Sequence, residues 1–78
     1  MTEQQIQAKR IKQLEQEGWF VIKLTVTNKT GIPDLIAIKH NDVLFVECKT
    51  PKGVVSKIQE YRHRELRKKG IKVEVYRG

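Results

Sequence analysis

Two short apolar stretches, Leu35-Ile36-Ala37-Ile38 and Val43-Leu44-Phe45-Val46, stand only a few residues apart, and each has an acid at its outer end. The run Gly31-Ile32-Pro33-Asp34 leads into the first, and Glu47-Cys48-Lys49 closes the second. If the strands pair as a hairpin through His40-Asn41-Asp42, Asp34 comes level with Glu47. Side chains at i and i+2 of a strand share a face, so Glu47 and Lys49 project together while Cys48 points away. Two carboxylates and an ammonium are thereby brought to one edge of a sheet.

The flanking sequence supplies the rest of a small domain. Thr2 to about Glu17 reads as a helix, opened by a Thr2-x-x-Gln5 capping box and stopped by Gly18. Trp19 to Val26 switches to aromatic and β-branched residues, the mark of a first strand. Thr27 to Gly31 is a polar loop, and Leu35–Lys39 and Val43–Lys49 are the second and third strands. Thr50-Pro51-Lys52-Gly53 breaks the ladder. A second helix follows from about Val54 to Lys69, closed by Gly70, and Ile71 to Tyr76 alternates as a last, half-buried strand. The order α-β-β-β-α-β over residues 1–78, one domain, predicts an α/β (α+β) core. Its mixed sheet is flanked by two helices, and its last strand is reached by a helical crossover and lies parallel to a neighbour.

Composition bears on the partner. Lys and Arg number 16 against 9 Asp and Glu, a net charge of +7, which favours polyanions and above all nucleic acid. Both helices spend their apolar positions on a core, and no apolar run approaches the roughly 20 residues of a membrane span, so no membrane partner is expected. The single cysteine excludes an internal disulfide and a cysteine zinc cluster. With no hydrophobic leader, an intracellular, soluble, cytoplasmic protein is expected. No small-molecule cofactor is indicated.

Magnesium and manganese take carboxylate, carbonyl and water oxygens. Asp34 and Glu47 offer the carboxylates, and the backbone carbonyl of Cys48 a third oxygen. Such an ion would polarise a phosphodiester and acidify a bound water, and Lys49 would orient that water or neutralise the phosphate. Either half alone has a plainer use: Pro-Asp after glycine opens turns, and Glu-x-Lys on a strand forms solvated ion pairs. Together they point to a metal-dependent phosphodiesterase site.

Around that site the helices add candidates. Glu3 falls with Ile6, Ile11 and Leu14 on the apolar sector of the first helix. There it either needs a cation or merely complements the helix dipole from the first turn. The second helix carries Lys57, Arg62, Arg64, Arg67 and Lys68 and, with Lys52 before it, suggests a phosphate-tracking DNA-binding face. Ile58, Tyr61, Val55 and Leu66 are expected inward. Gln59 lies on the border, either reaching a phosphate or a metal-bound water or serving as a surface amide. His40 and His63 are expected in a turn and on the surface, Tyr61 and Trp19 in the core, and Cys48 as a small core hydrophobe.

Gly31-Ile32-Pro33-Asp34 with Glu47-Cys48-Lys49 resembles the PD-(D/E)XK nuclease superfamily. Glu3-Gln4-Gln5-Ile6-Gln7 at the start and Ser56-Lys57-Ile58-Gln59 before Gly70 make the whole chain similar to the virus-type replication-repair nuclease (VRR-Nuc) domain. The resemblance implies a restriction-endonuclease-like minimal core. It also implies a magnesium- or manganese-dependent, structure-selective DNA endonuclease acting on branched or four-way-junction DNA as a homodimer. Position by position, Asp34 and Glu47 would be metal ligands, Lys49 the catalytic lysine, Glu3 the helix-one acid and Gln59 the helix-two glutamine. A non-catalytic basic nucleic-acid-binding module of the same fold is the alternative.

Overall fold

The computed structural model describes all residues, 1–78. Its elements are α1 (Glu3–Gln16), β1 (Phe20–Lys23), β2 (Leu35–Lys39), β3 (Asp42–Cys48), α2 (Lys57–Lys68) and β4 (Lys72–Tyr76), the order expected. The sheet runs β1-β2-β3-β4, antiparallel across the first two pairs and parallel between β3 and β4. The crossover through α2 is what allows that parallel pairing.

Both helices start on reciprocal caps. In α1 the Thr2 hydroxyl accepts from the Gln5 amide, and the Gln5 side chain accepts from the Thr2 amide at 2.8 Å. In α2, Ser56 and Gln59 do the same. Because Ser56 is the cap, α2 begins at Lys57 rather than at Val54 as expected. β1 is also shorter than expected. The Leu24 amide donates to the Asp34 carbonyl at 2.8 Å, and beyond that bond the chain leaves the ladder. Thr25 and Val26 therefore belong to the long β1–β2 loop.

The β2–β3 turn is tight. Lys39 pairs with Asp42, and His40 adopts φ 54. The resulting register sets Leu35 against Val46, so the next step outward sets Asp34 against Glu47. Alternation then divides the sheet. Leu35, Ala37, Val46 and Cys48 face α1 and form the buried core with Ile6 and Leu14, with Trp19 packed at its margin. Glu47 faces the other way, toward α2.

Strands β1, β3 and β4 share one direction. The short α1–β1 turn places the start of α1 at the end where those strands finish, and Gly78 indeed lies against Ile6 there. α2 also starts at that end, since it descends to reach β4. One end of the molecule thus gathers the start of α1, the β1–β2 loop with Asp34, the exit of β3 and the start of α2.

Candidate active site

Asp34 is placed by the glycine and proline before it. Pro33 is fully buried, and Gly31 has φ +79, where a side chain is strained. A Cβ on Gly31 would come within 2.9 Å of both the Ile58 side chain and the Ile58 carbonyl, so the loop passes α2 at a distance only glycine allows. Arg62 fixes the same loop, its Nε donating to the Thr30 carbonyl at 2.8 Å. Asp34 Oδ2 then accepts from the Cys48 amide at 2.8 Å, which ties the carboxylate to the exit of β3.

Glu47 is 1% exposed. Its Oε2 accepts from Gln59 Nε2 at 3.3 Å, and its Oε1 lies 3.2 Å from His63 Nε2. Burial, then the charge and hydrogen bond of Asp34, push its carboxyl up to about 8; Lys49 opposes the shift and Glu3 adds weakly to it. At neutral pH the metal-free carboxyl is therefore protonated. Burial, with Arg67 and Lys49 beyond it, lowers the His63 pKa. The contact is consequently a hydrogen bond between neutral groups.

A buried acid beside a second acid has only the charge of Lys49 to offset it, and a divalent cation would supply a closer positive partner. No group of three or more His, Cys, Asp or Glu side chains has metal-holding geometry. Two carboxylates alone would suit an ion that keeps several waters and takes phosphate oxygens from a substrate. Cys48 takes no part through its thiol. It is fully buried, and burial first, then Asp34 and Glu47, raises its pKa to about 12.

Of the expected site residues, Asp34, Glu47 and Gln59 come together, and the charge of Lys49 acts on Glu47. Glu3 stands at the same end, close enough for its charge to reach Glu47, but its side chain is exposed rather than buried in the apolar sector. His63 corrects the surface assignment: it is 3% exposed, the one buried residue of α2. The helix is turned so that Gln59 and His63, four residues apart and hence on one face, meet Glu47. That phase swings Ile58 and Tyr61 outward, Tyr61 to 47% exposure, against the expectation of an apolar inner face. The Ser56-x-x-Gln59 capping pattern was a signal for where α2 starts, but not for which face turns inward.

The basic residues divide by location. Lys52 and Lys57 are exposed at the site end. Arg62 is committed to Thr30 and, at 2.7 Å, to Glu65, whose pKa its hydrogen bond lowers. Arg67 donates to the Val73 carbonyl. Arg64 and Lys68 remain exposed and line a shallow hollow on the outer side of α2 with Tyr61, Glu65 and Lys69. Of the expected DNA-binding set, Arg62 thus serves the fold.

A family model described as "VRR-NUC domain" matches residues 1–78. A solved structure described as "VRR_NUC domain" superposes with a TM-score of 0.87 at 29% sequence identity. The match covers 97% of this chain and 84% of that chain. No curated protein matches the sequence.

Proposed function

The chain belongs to the VRR-NUC domain family, a nuclease-type domain, and from that premise we propose that it is a magnesium- or manganese-dependent endonuclease cleaving branched DNA, four-way junctions included, as a homodimer. The observation that carries the reading is the buried Glu47 carboxyl set against Asp34 at the mouth of a strongly basic molecule. A buried acid beside Asp34 gives a pure DNA-binding module nothing, whereas the pair suits an ion that meets phosphate.

Asp34 and Glu47 would hold the ion, with the Cys48 carbonyl beside them. When bound, it supplies charge neutralisation at the scissile phosphate and acidifies a water. The chain's own groups supply placement. The Cys48 amide orients Asp34, and Gln59 orients Glu47. The Lys49 ammonium, whose charge acts on Glu47, sits where it can steady the attacking water or the charge developing on phosphate. Lys52 and Lys57 would grip flanking phosphates. Support for a second copy comes from the sheet face on the α2 side. Over β1 it lacks a cover, leaving Phe20 66% and Ile22 41% exposed.

The test is cleavage of labelled single strand, duplex, flap and four-way junction at moderate salt with magnesium, manganese or EDTA. Metal-dependent cutting confined to the branched species is the expected result. Tight binding with no cutting under either metal would leave the non-catalytic basic module instead.

A further inference from the structure

Helix α2 reaches the Glu47 carboxyl twice, and from one face. Gln59 Nε2 lies 3.3 Å from Oε2, and His63 Nε2 lies 3.2 Å from Oε1. One turn of helix separates the two side chains, so their nitrogens meet the two oxygens of one carboxyl group as a rigid pair. Both partners of the His63 contact are out of solvent, with side-chain exposures of 4% and 1%. An imidazole there is a costly choice for filling space, since an apolar side chain would bury without needing a partner. Its one hydrogen-bonding partner is the acid that the proposed reaction needs at the ion.

We propose that His63 is a positioning residue, which with Gln59 fixes the plane of the Glu47 carboxylate so that its remaining lone pairs face the ion shared with Asp34. This assignment rests on the metal-nuclease reading above. A carboxylate oxygen has two lone pairs, so a hydrogen bond from α2 leaves each oxygen able to meet a cation. Without His63, Glu47 keeps one tether and can swing about it, and a ligand free to swing binds its ion less well.

Two polar substitutions separate positioning from bulk. The Gln amide nitrogen reaches about as far as the imidazole Nε2, whereas Asn stops near the depth of Nδ1. The manganese dissociation constant of the protein alone is read by calorimetry for wild type, His63→Asn and His63→Gln. kcat and KM on a four-way junction follow, with circular dichroism to show that each is folded. His63→Asn should weaken manganese binding and lower kcat, each by about 10-fold or more, while KM for DNA stays within about 2-fold. His63→Gln should recover most of both. Wild-type manganese affinity in folded His63→Asn overturns the assignment, as does a loss in His63→Gln equal to that in His63→Asn. If the wild-type protein neither binds manganese nor cleaves, the metal-nuclease reading itself falls, and this assignment with it.

Discussion

On the proposed reading, a proton and a metal ion compete for Glu47. The group's ordinary value is 4.5 and burial beside Asp34 raises it to about 8, so the folded protein favours the protonated form. Its contribution to metal-free stability is full below about 4.5 and is lost as pH rises toward about 8. An ion held by this carboxylate would have to displace that proton. Manganese affinity should therefore climb with pH until about 8 and then flatten, with proton uptake by buffer visible as a calorimetric heat that depends on buffer identity. A pH-independent affinity with no released proton would remove Glu47 from the ion. Asp34 makes a second residue-level prediction. Asp34→Asn keeps an acceptor for the Cys48 amide, whereas Asp34→Ala orphans it at a cost of about 1–3 kcal/mol. Both should lose cleavage, but only the alanine variant should melt measurably lower. This tier was partly legible in sequence. Strand alternation and a short hairpin place Asp34, Glu47 and Lys49 without any tertiary information. His63 was not legible, because one histidine in a basic helix has no pattern until its partner is known.

The elements follow local chemistry, and the misplacements arise where tertiary contacts overrule it. The Thr2 cap fixed α1 from sequence alone, while the equivalent Ser56 box lay behind two valines that suggested an earlier start for α2. Apolar residues do not mark the inward face of α2, since Ile58 and Tyr61 turn outward. Polar groups in fact mark it: Gln59 and His63 toward Glu47, and Arg62 toward Thr30. The β1–β2 loop is held against this helix at Gly31. Gly31→Ala should strain the left-handed backbone by about 1–2 kcal/mol and collide with the Ile58 carbonyl, shifting Asp34 three residues on. Thermal unfolding and cleavage should both fall. An alanine variant with wild-type stability and activity would show that the loop does not need this approach.

At the scale of the molecule, sheet order and crossover were legible because hairpin length and the intervening helix leave few topologies open. The distribution of positive charge was not. The net charge of +7 favours a polyanion partner, but two of the three arginines on α2, Arg62 and Arg67, donate to backbone carbonyls of its own fold. At 1.5 Å per residue, Lys68 stands roughly 8 Å along α2 beyond His63, while Lys52 and Lys57 are exposed at the end where the helix starts. Neutralising Lys52 and Lys57 together should reduce the logarithmic salt slope of DNA binding by about 2, one per phosphate contact. An unchanged slope would place the DNA on another face. Phe20→Glu, on the uncovered side of β1, should yield a monomer by light scattering if that face joins two copies. A dimer that persists would move the interface elsewhere.

The most direct test of the account is single-turnover cleavage of a four-way junction in manganese by wild type and Glu47→Gln. The amide has the shape and neutrality of the protonated carboxyl already present in the metal-free fold, so stability should be preserved. The account predicts cutting by the wild type and a loss of about 100-fold or more in the variant. A folded Glu47→Gln protein that cuts at the wild-type rate would contradict it.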